Sequence, residues 1–323
     1  MLAEIRTESY VSDSDLAERA FALFPREEWI YTMLSYFDES TQDREAYPAS
    51  CVSALTGTGL QWSKFSHSWA WILEEFDVRD RKGRRVFHAT DFETPEGQIG
   101  TSYENWEEED PDKRKRFNRA LCDAIADSGV QVSAASVLLA EYEEVASKVV
   151  PVILEDGEVV SLPRDKAFGD KYAFCAFWAL MFAAEEARHY PKGTDIACYF
   201  ESGGGYQHQI ETVYELASQY DTYVRFFEKP NFVSKDFAVA LQAADKMAYE
   251  CSKHISHMRH PNPPLKYSHV EDGKPIWKTR FALRHLVINR VDVNIRHWFK
   301  EDIEAFFVEG EERIAKRIAD RQT

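Results

Sequence analysis

The sequence predicts an α/β fold in which a mixed sheet is flanked by helices. Short apolar runs rich in β-branched and aromatic residues, at 29–38, 130–138 and 195–200, alternate with longer segments of helical period. Two strand-like runs follow one another early, which gives strand-to-strand steps that a purely parallel sheet lacks. Hydrophobic residues make up 44% of the 323-residue chain and aromatic residues 14%, ample material for a core.

The elements follow in order. Residues 1–27 predict a helix with Leu16, Ala20 and Leu23 on one face, ended by Pro25. The run 29–38 predicts a buried strand. It closes on Asp38 and Glu39, and Ser40, Thr41, Gln42 and Asp43 supply turn chemistry. Residues 48–57 predict a second strand, and 61–76 a helix striped by Trp62, Phe65, Trp69, Ile72 and Leu73. A basic loop, Arg79 to Arg85, leads into a strand-like Val86-Phe87-His88, and 92–111 is acidic and loop-like. A helix over 112–127 and a strand over 130–138 come next. Residues 142–166 carry an inserted hairpin turning at Asp156-Gly157, before a central core helix at 168–190. The strand 195–200 runs into Glu201 and a three-glycine loop, Gly203 to Gly205. A helix at 206–219, a strand at 222–228 and a helix at 235–257 complete a domain assigned to 1–258. Four prolines mark 259–275 as a linker. A helical pair over 278–309 and a charged tail then form a C-terminal helical extension within 259–323. No internal repeat is evident.

Charge narrows the partners. The net charge of −16 argues against gripping nucleic acid by overall field. A local basic face or a divalent metal held by clustered acids would still allow it. No apolar run approaches a membrane span, and the acidic, polar N-terminus shows no secretory signal. Cys51, Cys122, Cys175, Cys198 and Cys251 are far apart and odd in number, which predicts reduced thiols and a cytoplasmic protein.

Three carboxylates stand out. Asp38 and Glu201 each end a strand, where rigid backbone can hold an acid at a cleft. Asp245 lies between Leu241 at i−4 and Ala248 at i+3, so it sits on or beside the apolar stripe of its helix. An acid there is costly unless paired or metal-bound. Asp245 could equally serve a salt bridge to a lysine or arginine, and Glu201 could be a surface strand end. Converging carboxylates repel unless a cation lies between them, and Mg2+ or Mn2+ suits oxygen ligands in phosphoryl transfer. The glycine loop after Glu201 lacks the Lys-Ser/Thr of a phosphate-binding loop and reads as a permissive turn.

Tyr36-Phe37-Asp38-Glu39-Ser40, Phe87-His88-Ala89-Thr90-Asp91 and Leu241-Gln242-Ala243-Ala244-Asp245-Lys246-Met247-Ala248 together resemble the domain-of-unknown-function 3800 family. Its pattern is an early Asp-Glu-Ser, an Ile-His element and a late Leu-Gln-x-Ala-Asp helix. The resemblance spans about residues 29–255. It implies a ribonuclease H-like sheet in which the Asp38 strand is central and beside the Glu201 strand, with the Asp245 helix packed across them. Where that pattern leads one to expect aspartate, this chain has the longer Glu201.

Further residues enter around these acids. His88 could move protons or ligate a metal, with Asp91 nearby in sequence. The resemblance raises His88 to a site residue, with Glu39 as the other assisting group. Arg84 and Arg85, in the loop before His88, are candidates for contacting a phosphate backbone, or simply solvated. His254, His257 and His260 recur every third residue and are expected to complement a helix C-terminus rather than share a zinc ion. The acidic run at 104–112 reads as solvated. The leading expectation is a divalent-metal-dependent nuclease, a phosphodiester hydrolase, with Asp38, Glu201 and Asp245 as metal ligands and Glu39 and His88 assisting. The alternative is a non-catalytic interaction or regulatory module on the same scaffold. The type of nucleic acid and the oligomeric state are not written in the sequence.

Overall fold

The computed structural model describes residues 32–42, 48–153, 158–190, 194–203, 205–220, 225–226, 229–258, 268–271, 274–277 and 293–322. The helix expected at 1–27 and the segment 278–292 lie outside them.

Strand β1 (Thr32–Gln42) lies between two partners: it pairs antiparallel with β2 (Ala49–Thr58) and parallel with β6 (Asp195–Glu201). β3 (Gln131–Leu138) runs antiparallel to β2. On the far side, β7 (Arg225–Phe226) and β8 (Asn231–Val233) both pair parallel with β6. β11 (Val293–Trp298) adds in parallel to β3, giving a seven-stranded mixed sheet in the order β11-β3-β2-β1-β6-β7, with β8 also on β6. The fold is α/β. The inserted hairpin forms as expected, from β4 (Val149–Ile153) and β5 (Val159–Pro163).

Helices cover both faces. Strand alternation sends Tyr36 to one face and Phe37 to the other. Tyr36 joins a core built with Trp62 and Phe65 of α1 (Gly59–Glu75), Phe117 of α2 (Lys113–Ser128) and Leu241 of α5 (Val239–Met258). Phe37 joins the opposite core with Phe174 of α3 (Lys171–Ala187), Val213 of α4 (Gln207–Tyr220) and Phe307 of α6 (Lys300–Gln322). Asp38, one step beyond Phe37, therefore falls on the α5 face.

Local chemistry sets the helix ends. Thr58 and Gln61 form a reciprocal capping box that starts α1 at the end of β2. The Asp170 carboxylate accepts the Ala173 N–H at 3.0 Å to start α3. Gly129 takes φ +74° just past α2, a left-handed cap that a side chain would strain.

The structure departs from expectation at six places. The first strand does not close on Asp38: β1 continues through Ser40, Thr41 and Gln42, which pair with β2 instead of turning. Val86 to His88 is extended but not in the sheet. The N–H groups of Phe87 and Ala89 donate to the side chains of Gln242 and Asp245 instead of to a strand. Residues 92–111 are only partly loop: short helices at Ala89–Glu93, Pro95–Gln98 and Trp106–Glu109 bury Phe92 and Trp106, with Tyr103 buried between them. The helix expected from Lys235 begins at Val239, and residues 234–238 form a turn closed by Phe237 N–H donating to the Ser234 carbonyl. Within the expected linker, β9 (Ser268–Glu271) and β10 (Lys274–Trp277) form a hairpin. Residues 293–298, expected as helix, are the sheet strand β11, and the charged tail continues α6. Among the described residues no helix is long and apolar enough to cross a membrane, and all five cysteines are buried free thiols.

Candidate functional site

β6 ends beside the middle of β1: their pairing stops at Phe37 and Phe200, while β1 continues along β2 to Gln42. Register pairs Tyr36 with Tyr199 and Phe37 with Phe200, and both ring pairs stack, at 4.9 and 4.6 Å between centroids. The next step along the two strands brings Asp38 beside Glu201 on the face that α5 crosses. Val233 of β8 pairs with Glu201, and the Ser202 N–H donates to the Val233 carbonyl at 2.8 Å. That pairing delivers Lys235, two residues on, to the same place.

Lys235 is the centre of the cluster. Its Nζ lies 2.7 Å from Asp38 Oδ2, 2.9 Å from Glu201 Oε2 and 3.4 Å from Asp245 Oδ2. One ammonium thus meets three carboxylates in a largely dry site, where Asp38 is 2% and Lys235 7% exposed. The contact to Asp38 Oδ2 is an ion pair outside hydrogen-bonding angles, and no other partner meets that buried oxygen. Asp38 Oδ1 accepts the Glu39 N–H at 2.9 Å.

Helix α5 frames the cluster through two residues one turn apart. Asp245 Oδ2 accepts the Ala89 N–H at 2.9 Å. Gln242, fully buried, accepts from the Phe87 N–H at 2.9 Å and from Trp69 Nε1 at 3.1 Å, and donates to the Lys235 carbonyl at 3.0 Å. Small residues let the helix come close: the Ser53 hydroxyl of β2 donates to the Ala244 carbonyl at 2.7 Å. The Leu-Gln-x-Ala-Asp pattern therefore has a physical content here. The glutamine locks the surrounding main chain, the alanines permit approach and the aspartate reaches the cluster.

Electrostatics follow from this crowding. Burial pushes the Asp38 carboxyl well above its ordinary value; Lys235 opposes this, while Asp245, Glu39 and Glu201 add to it. Burial also raises Glu39, again opposed by Lys235 and reinforced by Glu201. Burial works against the Lys235 charge, yet Asp245, Asp38 and Glu201 together hold it well above the ordinary lysine range. The site keeps one positive charge against three acids that would otherwise repel.

The expected residues are placed as follows. Asp38, Glu201 and Asp245 come together. Glu39, on the next position of β1, points by alternation toward the opposite face. His88 is half-buried at the start of the short helix Ala89–Glu93, and the following N–H is the one that binds Asp245. Its charge and that of Arg81 act on Asp91, whose carboxyl burial raises. Arg84 and Arg85 are both ion-paired within the chain. Arg84 bridges Asp80, at 2.6 Å, and Asp236, and Arg85 pairs with Glu74 at 3.0 Å. Since Asp236 follows Lys235, Arg84 steadies the turn that carries the central ammonium. Of the three spaced histidines, the His254 ring lies 5.1 Å from that of His297 at a tilt of 54°, His257 has only its backbone described, and His260 lies outside the described residues.

Lys235 was the missed residue. Its signal was weak, because a lysine after a three-residue strand looks like any helix start. In donor type the three acids suit a hard divalent cation. Among the described residues, however, no group of three histidine, cysteine, aspartate or glutamate side chains is arranged to hold a metal ion, and the cation between the three carboxylates is the Lys235 ammonium. Compared with protein-family models, curated proteins and solved structures, the chain matches none.

Proposed function

We propose that the chain is a divalent-metal-dependent phosphodiester hydrolase with a ribonuclease H-like arrangement. The observation that carries this is the convergence of Asp38, Glu201 and Asp245 on one cation from two adjacent parallel strands and a crossing helix. The strand order supports it too: the Asp38 strand is internal, beside the Glu201 strand, with antiparallel neighbours on its other side. In this reading Asp38, Glu201 and Asp245 hold Mg2+ or Mn2+ once Lys235 withdraws. Held there by the three carboxylates, such an ion would supply charge stabilisation at the phosphate. The chain's own residues exclude bulk water around Asp38, orient the carboxylates through the Ala89 and Glu39 N–H groups, and leave His88, next to the Ala89 N–H, to move protons.

Two observations favour the second reading, a non-catalytic interaction module on the same scaffold. Lys235 neutralises the acids internally, and the four loop arginines are spent within the chain. Arg79 binds Asp77 and the Gly83 carbonyl, Arg81 binds the carbonyls of Glu96, Gly97 and Ile99, and Arg84 and Arg85 form the ion pairs above.

The deciding experiment incubates wild type and Asp245→Asn with single- and double-stranded DNA and RNA, with Mg2+ or Mn2+. Metal-dependent cleavage by wild type that Asp245→Asn loses is expected. No cleavage of any of the four substrates favours the interaction module.

A further inference from the structure

The central ammonium and a divalent ion would need the same oxygens. Lys235 Nζ is in contact with Asp38 Oδ2, Glu201 Oε2 and Asp245 Oδ2. A magnesium ion takes carboxylate oxygens at roughly 2.0–2.1 Å and demands near-octahedral geometry, so it cannot share that centre with a lysine head group. The main chain of Lys235 is fixed. Gln242 donates to its carbonyl at 3.0 Å, the Asp236 N–H donates to Ser234 Oγ at 3.2 Å, and the Asp236 carboxylate is held by Arg84. Among the described residues, the Lys235 ammonium forms ion pairs with the three acids alone. A flexible methylene stem can therefore carry the ammonium away while the surrounding turn stays in place.

We propose that Lys235 is an exchangeable resident cation: it holds the three carboxylates together when metal is absent and swings out of the cluster when a divalent ion enters. This rests on the acids being a metal site, and it adds the step that controls access to that site. Metal affinity in the wild type is lowered by the work of displacing the lysine, as for any ligand whose competent state is only partly populated. The device keeps a buried acid cluster neutralised without metal, and it makes metal loading visible as exposure of one lysine that is 7% exposed in the resting arrangement.

The test has two arms. Mn2+ is titrated calorimetrically into wild type, Lys235→Met, Lys235→Arg and Asp245→Asn. In parallel, wild type is acetylated with an amine-reactive reagent with and without saturating Mn2+, and modification of Lys235 is followed by peptide mass spectrometry. Expected are binding to Lys235→Met tighter than wild type by roughly tenfold or more, no such gain for Lys235→Arg, and faster acetylation of Lys235 with metal. Equal affinity in wild type and Lys235→Met, or an acetylation rate that metal leaves unchanged, overturns the exchange while leaving the metal site standing. No binding of Mn2+ by wild type or Lys235→Met overturns the metal site itself, and the exchange with it. Should Lys235→Met fail to fold, the acetylation arm on wild type decides alone.

Discussion

Gln242 holds the main chain of Lys235, donating from Nε2 to its carbonyl at 3.0 Å while Oε1 accepts from Phe87 and Trp69. One amide thus joins α1, the segment before Ala89, the Lys235 turn and α5. Replacing it with alanine leaves the Phe87 N–H and Trp69 Nε1 buried without their acceptor. Gln242→Ala is expected to lower stability by about 2–4 kcal/mol. Urea unfolding of the two proteins checks it, and a change under about 1 kcal/mol would show that water replaces the amide.

His297 predicts an acid-sensitive stability. Burial, with His254 as a second cause, pushes its pKa down from 6.5 to about 3, and its Nδ1 lies 2.6 Å from Ser136 Oγ. Between those values the unfolded chain binds a proton that the folded chain excludes. Stability therefore falls as pH drops below about 6.5 and stops falling from this cause below about 3, by up to roughly 1.4 kcal/mol per pH unit. Unfolding curves taken from about pH 7 down to about pH 4 should show a shallower dependence for His297→Phe, whatever its absolute stability.

The double variant Arg84→Ala, Arg85→Ala should act on the fold. Arg84 ties Asp80 to Asp236, and Arg85 ties the loop to Glu74 at the end of α1. These guanidinium groups are more than a third exposed, so the expected loss is modest, about 1 kcal/mol. If the chain binds nucleic acid, the salt dependence should change by less than the slope of roughly 0.7–0.9 expected for one lost phosphate contact. A drop of two contacts in that slope would return both arginines to the binding surface.

Metal should raise the melting temperature of the wild type through these acids alone. A ligand at about a hundredfold its Kd adds about 2.7 kcal/mol to the native state. Asp38→Asn should lose that response yet melt, without metal, at or above the wild-type temperature. Burial and the neighbouring acids already disfavour the Asp38 charge, and Lys235 keeps Glu201 and Asp245. A melting scan in which both proteins respond equally to Mg2+ and Mn2+ would place any metal elsewhere.

Much of the sheet was legible because its central strands are apolar runs bounded by turn chemistry. β1, β2, β3 and β6 lie where such runs occur; Glu201 declared itself at a strand end, Asp245 on an apolar stripe, and Asp38 at the close of an apolar run, although β1 continues past it to Gln42. Val293 to Trp298 was hidden because charged and polar residues alternate with apolar ones in a short edge strand, where either period fits. Lys235 was hidden for a different reason: its partners are remote in sequence, and ion pairing across a fold leaves no spacing to read. The Val86 to His88 segment looked like a strand because extended backbone is the same in or out of a sheet. What decides is the hydrogen-bond partner, and here that is a helix side chain.

The pairing of β11 with β3 has a consequence for how the chain is made. β3 leaves the ribosome long before Val293, so one of its edges waits with its peptide groups unpaired until the last segment arrives. Trp298, Ile303 and Phe307 then complete the core on the α3 face. The sheet cannot close during synthesis of its own central strands. Its completion waits until Val293 to Trp298 has been made, and in that interval the exposed β3 edge is open to association with another chain or to capture by a chaperone.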